Sequence, residues 1–186
     1  MNFHDLRSSI PMDRVSFSLV GKRGKRNKYF PNNSLPVIIY REALELLKQK
    51  NKSATIVEKI FAKNGWSNSW KNGIYDFHHY HSNTHEVLGI YEGSANVQFG
   101  GPHGIAEDVS RGDVIIIPAG VAHKCNSASD DFKCIGAYPD GKDYDIKKGT
   151  PSDRPKADEN IRNVELPETD PVYGSNGPLI LNWEMW

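Results

Sequence analysis

From Gly73 onward, the chain is a succession of short β-prone runs separated by turn residues. Seven such runs lie between residues 73 and 138: GIYDFHHYH, EVLGIY, ANVQF, IAEDV, DVIIIP, AHKCNS and FKCIGAY. Parallel strands would need crossover connections of about a dozen residues or more, and the links between these runs are shorter. The pattern therefore predicts a mainly β fold, an antiparallel sandwich or barrel over residues 66–140.

The preceding segment, residues 1–65, is predicted to be an extension with a basic loop and two helices that pack on the barrel. Good helix formers over residues 40–50, with their apolar members on one stripe, predict the first helix. Thr55 followed by Glu58 forms a capping-box pattern that predicts the start of the second helix, and an Asn-Gly pair ending at Gly65 predicts its end. Its buried face would carry Ile56, Val57, Ile60 and Phe61.

The basic loop concentrates five positive side chains at Lys22, Arg23, Lys25, Arg26 and Lys28. Such a cluster could bind phosphate or nucleic acid. Over the whole chain, however, 23 basic and 23 acidic residues cancel and the pI is about 7.1, so no global field attracts a polyanion. A solvated loop is the favoured interpretation, and no nucleic-acid partner is expected.

The last segment, residues 141–186, is polar and predicts an irregular arm. Its apolar residues are expected to pack back on the barrel, so that the chain forms one structural domain. No apolar run approaches the roughly 20 residues that a membrane-spanning helix requires, and the N-terminus lacks the apolar stretch of a signal peptide. A cytoplasmic protein without a membrane partner is expected. The residues expected to pack back are the terminal apolar ones, Leu179, Ile180, Leu181 and Trp183.

Four of the seven histidines lie within the eight positions 78–85. On an extended strand, residues two apart share a face, which puts His79 and His81 on one side. Turn-like residues follow before the next strand, so a hairpin would bring Glu86 beside His81. Two imidazoles and a carboxylate are a ligand set for a divalent transition metal. A histidine-rich polar patch is the alternative, and it requires no acidic residue at that place.

A second stretch, GDVIIIPAGVAHKCN over residues 112–126, offers one further ligand. A Gly-Asp turn leads into a buried strand, and Pro118 and Gly120 form another turn. A second hairpin would then deliver His123 just past that turn. Both stretches place metal-binding groups where a strand begins or ends.

Together, these stretches resemble the two sequence motifs of the cupin family. The first motif, Gly-x5-His-x-His-x4-Glu-x6-Gly, and the second, Gly-x5-Pro-x-Gly-x2-His, are matched at every spacing. The family asparagine that should follow is replaced by Ser127, which casts no doubt on the ligands because that position is not one of them. The flanking sequence is also similar to the YjlB-type single-domain cupins. The matched residues are Gly73, His79, His81, Glu86, Gly93, Gly112, Pro118, Gly120 and His123.

The resemblance implies a cupin (RmlC-like) jelly-roll barrel of roughly six to eight strands. It also implies that one divalent transition metal is bound by His79, His81, Glu86 and His123, with room left for water or substrate. The candidate metals are Mn, Fe, Ni and Zn, with Cu also used in the family, and the ligand types do not choose among them. Single cupins commonly dimerise, so a homodimer is expected.

Several other residues are predicted to lie near this site. Tyr75, Phe77, Leu88 and Ile90 share faces with the ligands and would line an apolar pocket. By parity with His123, Cys125 points inward, and a turn at residues 129–130 would set it opposite Cys134. The two thiols are a redox pair, soft metal ligands or, as we favour in a reducing cytosol, simply buried.

The remaining histidines of the region are His78, His85 and His103. His85 is either a residue at the mouth of the site, as a ligand or proton shuttle, or a hydrogen-bonded turn residue, which is favoured. His78 and His103 are interpreted as surface residues.

Two functions are compatible with this pattern. The first is a metal-dependent enzyme acting on a small oxygenated molecule, of the isomerase, epimerase or dioxygenase type, with Glu86 as ligand and candidate catalytic base. The second is a non-catalytic binding or storage module with a structural metal, because fold alone does not fix function. The four retained ligands favour the enzyme.

Overall fold

The computed structural model describes residues 14–18, 28–48 and 54–185. Nine strands in these ranges form two antiparallel sheets, one of six strands in the order β1-β2-β7-β4-β9-β3 and one of three in the order β6-β5-β8. The two sheets form a jelly-roll sandwich that is not closed as a barrel. The strands are β1 (Val15–Ser18), β2 (Val37–Tyr40), β3 (Trp66–Asn72), β4 (Glu86–Glu92), β5 (Ser94–Phe99), β6 (Ile105–Ser110), β7 (Val114–Ile117), β8 (His123–Ala128) and β9 (Lys133–Pro139).

The six-stranded sheet is buried on both faces, which explains why β2 and β7 are continuous apolar runs rather than alternating ones. In β2, Val37 and Ile39 pack between the two sheets, whereas Ile38 and Tyr40 pack on the outer face. The same alternation continues across the neighbouring strands. The core between the sheets is completed by Leu88, Ile90, Val97, Phe99, Ile115, Ile117 and Cys134.

Helices cover the outer face of this sheet. Helix α1 (Ala54–Lys63) buries Val57 and Phe61, in line with the predicted amphipathic face. The contact is close because β4 carries Gly89 beneath the helix: a Cβ there would lie 2.7 Å from Val57 and 2.8 Å from Phe61. The first predicted helix, over residues 40–50, is shorter than expected, a 3-10 helix at Glu45–Lys48 that follows β2.

The C-terminal segment contains two further short helices, α2 (Lys156–Arg162) and α3 (Pro178–Trp183). In α3, Leu179 and Trp183 are buried in the outer core, whereas Leu181 is 61% exposed. No helix in the described ranges is long and apolar enough to cross a membrane. The basic loop lies outside the described residues except for Lys28.

Three predicted hairpins are wrong. No hairpin delivers His123, because β7 and β8 belong to different sheets. The run GIYDFHHYH forms no regular strand; only His79 and Tyr80 make isolated bridges. The stretches that carry Cys125 and Cys134 belong to different sheets, because β8 pairs with β5 whereas β9 pairs with β3 and β4. Both cysteines are free thiols. The physical reason is that the chain passes from one sheet to the other between β8 and β9, so these two strands find their partners elsewhere in the chain.

Candidate metal centre

The predicted ligands meet at one end of the sandwich, where β4 and β8 begin. Glu86 is the first residue of β4, where it pairs with Ile117, and His123 is the first residue of β8, where it pairs with Phe99. The turn after β7 carries the chain from one sheet to the other, so no hairpin delivers His123. His123 nevertheless lies beside Glu86, because the turn ends at the edge that the two sheets share.

The other two histidines lie in an irregular segment, residues 73–85, between β3 and β4. His79 forms a two-bond bridge with His123: its backbone N–H donates to His123 at 3.2 Å, and the return bond is 2.9 Å. Tyr80 makes the equivalent bridge to Lys147, and the carbonyl of His81 accepts the N–H of Gly120 at 2.8 Å. The predicted hairpin with β4 is thus replaced by contacts with β8 and with the C-terminal arm.

The side chains converge tightly. The ligand nitrogens of His79, His81 and His123 all lie within 4.8 Å of one another, and all three residues are buried. Oε2 of Glu86 lies 3.3 Å from Nε2 of His81 and 3.2 Å from Nε2 of His123. The predicted nearness of Glu86 to His81 is therefore observed, although the hairpin argued for it is not.

Each of the three imidazoles is held through its Nδ1 atom. His79 contacts the carbonyl of Phe77 at 3.2 Å, His81 that of Asp145 at 2.5 Å, and His123 that of Val121 at 3.1 Å. A carbonyl oxygen only accepts, so each Nδ1 carries the proton and donates it. The lone pair of a neutral ring is then on Nε2, and this arrangement is typical of histidines that bind metals.

The charges of the group favour a cation. Burial lowers the pKa of His79 to about 3, and neighbouring His123 adds to this effect. Burial acts to raise the pKa of Glu86, but His81 and His123 outweigh it and hold that pKa well below its usual range. Burial likewise opposes a charge on His81, yet the Glu86 carboxylate outweighs it and raises the pKa of that ring. A buried, ionised carboxylate therefore draws positive charge to this point.

Two buried atoms of this group without hydrogen-bond partners also indicate that it fits a metal ion. Nε2 of His81 and Oε2 of Glu86 are buried, and neither makes a hydrogen bond within the described part of the chain. Buried polar atoms are rarely left without a partner. Imidazole nitrogens and a carboxylate oxygen are the usual ligands of divalent transition metals, so the group could hold such an ion.

The arm and the loop are clamped together beside His81. The carboxylate of Asp145 accepts both the backbone N–H of Ser82 at 2.6 Å and its hydroxyl at 2.5 Å. Asn83 donates to the carbonyl of Asp143 at 3.0 Å and accepts from the N–H of Asp145 at 3.1 Å. The backbone carbonyl that orients His81 is thus fixed by four hydrogen bonds between the two segments.

A cavity of about 150 Å³ opens onto the four side chains. Two aromatic pairs flank it. Tyr75 stacks on Phe77 with 4.8 Å between ring centroids and meets His79 edge-on, whereas Tyr144 stacks on Tyr138 at 4.5 Å and meets His81 edge-on. The remaining lining residues of this cavity are Trp70, Lys71, Asn72, Gly73, Ile74 and Leu88.

Not every predicted lining residue reaches the cavity. Tyr75 and Leu88 line it, whereas Phe77 lies behind Tyr75, and Ile90 is buried in the core between the sheets. Cys125 is half-buried on β8, away from the lining.

The other histidines are also placed away from the cavity. His85 is buried rather than at its mouth: its Nδ1 accepts the N–H of Ala119 at 2.9 Å, and its ring packs 4.7 Å from that of Trp183. His103 is exposed, as expected, but His78 is half-buried against Phe30.

Three aromatic residues of the site were not predicted from the sequence: Trp70, Tyr138 and Tyr144. Tyr138 could have been found, because it lies on the face of β9 shared with Cys134, which was predicted to point inward. Trp70 could not, because β3 was not recognised and its pairing with β9 shifts register between Ser67 and Trp70. Tyr144 follows the last strand and has no periodic signal.

Comparisons of the sequence with known proteins find a relative and a family. The chain is 40% identical over 169 residues to the uncharacterized protein YjlB of Bacillus subtilis (strain 168), an alignment that covers 87% of this chain and 98% of YjlB. The cupin family profile matches residues 68–141.

Solved structures give more distant matches. A DUF861 family protein of Thermotoga maritima is 23% identical, covers 54% of this chain and 96% of its own, and has a TM-score of 0.35. The TDP-quinovose 3,4-ketoisomerase WlaRB of Campylobacter jejuni is 18% identical, covers 51% and 74% respectively, and has a TM-score of 0.38. At these values the likeness carries no functional argument.

Proposed function

Because this chain belongs to the cupin family, with YjlB as a relative over most of its length, we propose that it is a metal-dependent enzyme. One divalent transition metal would be held by His79, His81, Glu86 and His123. The substrate would be a small oxygen-containing organic molecule, and the reaction an isomerisation, an epimerisation or a dioxygenation. When bound, such an ion supplies Lewis-acid polarisation of oxygen groups or redox chemistry with dioxygen.

The observation that carries this proposal is the common orientation of the three imidazoles. Each ring gives its Nδ1 proton to a backbone carbonyl and leaves Nε2 for the centre of the group, where Oε2 of Glu86 also lies. A merely structural cluster of histidines would have no need for this shared polarity. The backbone carbonyls fix the rings before any ligand arrives, which lowers the cost of ordering them.

Charge narrows the class of substrate. Three neutral imidazoles and one carboxylate carry a single negative charge, so a divalent cation would leave the centre with a single positive charge. In a buried site this charge favours a ligand that brings a carboxylate or enolate oxygen. The cavity of about 150 Å³ is smaller than the pockets of drug-sized ligands, and its flat aromatic flanks suit a planar molecule of a few heavy atoms.

The chain's own groups have separate roles in this proposal. Glu86 is a ligand and, as the one carboxylate among the described residues that line the cavity, the candidate base. Burial raises the pKa of Tyr138, so its hydroxyl remains a proton donor at neutral pH. Tyr75 and Tyr144 would orient a planar substrate and exclude water.

One observation favours a second candidate, a non-catalytic binding module. The one lysine among the lining residues, Lys71, is turned to an ion pair with Glu58 at 3.0 Å. Apart from the tyrosine hydroxyls and the ligand imidazoles, the described lining residues therefore offer no second acid or base beside Glu86. In this case the ion would help to hold a ligand without turnover.

Metal content is the first test. Elemental analysis of the purified protein should find about one transition-metal ion per chain, and His81→Ala and His123→Ala should lose it. His103→Ala is the matched control, because this histidine is exposed in a turn away from the cavity and should change nothing. A metal-free wild-type protein that takes up no added Mn²⁺, Fe²⁺, Ni²⁺ or Zn²⁺ would rule out the proposed site.

The second test separates enzyme from binding module. Protein reloaded with its native metal should be screened against small carboxylic acids, ketoacids and enediols, with product formation and ligand binding measured in parallel. Turnover that disappears in Glu86→Gln supports the enzyme. Saturable, metal-dependent binding without turnover across the panel supports the module.

A further inference from the structure

The two oxygens of Glu86 have different surroundings. Oε2 faces the ligand nitrogens of His81 and His123, whereas Oε1 accepts a hydrogen bond from the hydroxyl of Tyr138 at 3.0 Å. The oxygen of Tyr138 in turn accepts the indole N–H of Trp70 at 2.7 Å. A short chain of hydrogen bonds therefore runs from β3 across β9 to the carboxylate on β4.

The direction of this chain is fixed by its first member. An indole nitrogen only donates, so the N–H of Trp70 occupies the oxygen of Tyr138 as an acceptor. The hydroxyl proton of Tyr138 is then directed to Oε1 of Glu86. The side chain of Tyr138 is fully buried, and its hydroxyl contacts both Trp70 and Glu86.

The backbone beneath Trp70 is shaped to admit its ring. A Cβ atom on Gly136 would lie 2.2 Å from two carbon atoms of the indole, closer than any real contact. Gly136 pairs with both Trp70 and Leu88, so it stands between the strand that carries the indole and the strand that carries Glu86. Without a side chain at residue 136, the indole can lie flat on β9 and reach the hydroxyl of Tyr138.

We propose that Trp70 and Tyr138 are positioning residues that hold Glu86 so that it offers Oε2 alone to the cation. With Oε1 engaged by Tyr138, the carboxylate does not turn both oxygens to the ion, and a coordination place stays open to the cavity for substrate. This inference rests on the proposed function, because it assumes that the site binds a metal. It assigns a role to two residues outside the ligand set.

The test uses Co²⁺ as a spectroscopic probe, with Tyr138→Phe as the variant and Tyr144→Phe as its matched control. The two rings stack on each other and line the same cavity, but Tyr138 alone is hydrogen-bonded to Glu86. Loss of the supporting hydroxyl should weaken Co²⁺ binding about 10- to 100-fold by chelator competition and alter the visible absorption spectrum of bound Co²⁺. Tyr144→Phe should retain both the affinity and the spectrum of the wild type.

Two further variants retain Glu86 and Tyr138 and disturb only Trp70, the first donor in the chain of hydrogen bonds. Trp70→Phe removes the indole donor, and Gly136→Ala displaces the ring without removing a hydrogen-bonding side chain. Both should shift the Co²⁺ spectrum in the same direction as Tyr138→Phe, and thermal unfolding of the metal-free proteins would verify that each variant is folded. A variant that fails to fold leaves the remaining two to decide.

The outcomes separate this inference from the proposed function. If the wild type binds Co²⁺ and the folded variants bind it with unchanged affinity and spectrum, the positioning role is wrong while the metal site stands. If the wild type binds no Co²⁺, the proposed function itself fails. A change in spectrum shared by Tyr138→Phe and Trp70→Phe, and absent from Tyr144→Phe, supports the inference.

Discussion

The four predicted ligands fall into two pairs that are held in different ways. Glu86 and His123 are the first residues of β4 and β8, so the ladders of the two sheets fix their backbones. His79 and His81 belong to an irregular segment, and for His81 the fixing group is a carbonyl from the C-terminal arm. The strand pair is thus held by regular sheet pairing, whereas in the loop pair His81 depends on the arm, 64 residues away. This difference predicts unequal responses to substitution.

The largest effect is expected from the strand pair. Glu86→Gln removes the one negative charge of the ligand set while keeping its shape, so metal affinity should fall more than about 100-fold, or more than about 2.7 kcal/mol. Chelator competition on the purified variant measures this. Glu92→Gln at the other end of β4 is the control, because that carboxylate pairs with exposed Lys133 and should leave affinity unchanged.

The stability of the fold around His85, which lies in sequence between the loop pair and Glu86, should depend on pH. Burial lowers the pKa of His85 to about 4, below its ordinary value of 6.5. The ring is neutral in the fold but takes a proton in the unfolded chain, so its contribution to stability is present above pH 6.5 and is lost as the pH falls toward 4. By pH 5 the loss should reach roughly 2 kcal/mol.

His85→Asn isolates this contribution, because asparagine can accept the N–H of Ala119 but does not titrate. Urea unfolding with chelator present should show a smaller fall in stability between pH 6.5 and 5 than the wild type shows. Parallel stability curves for the two proteins would contradict the assignment.

Metal binding through the loop pair should weaken when the C-terminal arm is altered. Asp145→Ala removes the carboxylate that accepts both Ser82 bonds, so the carbonyl that orients His81 becomes less firmly held. Metal affinity should fall about 10-fold without loss of a ligand. Asp143→Ala in the same arm is the control, since its exposed side chain contacts Asn68 rather than the loop. Equal affinities in the two variants would show that the clamp is dispensable.

The smallest effect is expected where the chain departs from the family motif. Ser127 is exposed on β8, and the asparagine one place earlier donates to Asn96 at 2.9 Å. Ser127→Asn should therefore change the free energy of unfolding by less than about 0.5 kcal/mol and leave metal affinity unchanged. A large shift in either quantity would mean that the motif asparagine has a role that Asn126 does not supply.

The same contrast explains what could be predicted from the sequence. Motif spacing predicted Glu86 and His123 as ligands, because a strand fixes residue positions over a short stretch, and the capping pattern and apolar stripe predicted helix α1. The strand β2 was not recognised because a strand buried on both faces lacks the alternation that marks a half-buried one. The packing of the cupin fold was thus predictable in outline but its N-terminal strands were not.

Several contacts at the site could not be predicted from the sequence, for a related reason. The contact of His81 with Asp145 spans 64 residues, and no local pattern encodes it. The nearness of His81 to Glu86 was predicted from a hairpin that does not exist, and it arises instead because both residues lie at the rim where the sheets meet. Trp70 reaches Tyr138 through a register shift in β3, and such irregularities depend on packing that periodicity does not reveal.

Because Asp145 follows all four predicted ligands in the sequence, the site is completed late during synthesis of the chain. A ribosome delivers all four ligand side chains before it delivers Asp145, so a nascent chain carries the metal-binding groups before the arm can orient His81. In the proposed metal site, full affinity would be reached only after the arm has been synthesised and docked. Metal loading would thereby be coupled to completion of the fold, and an unfinished chain would compete less well for the ion.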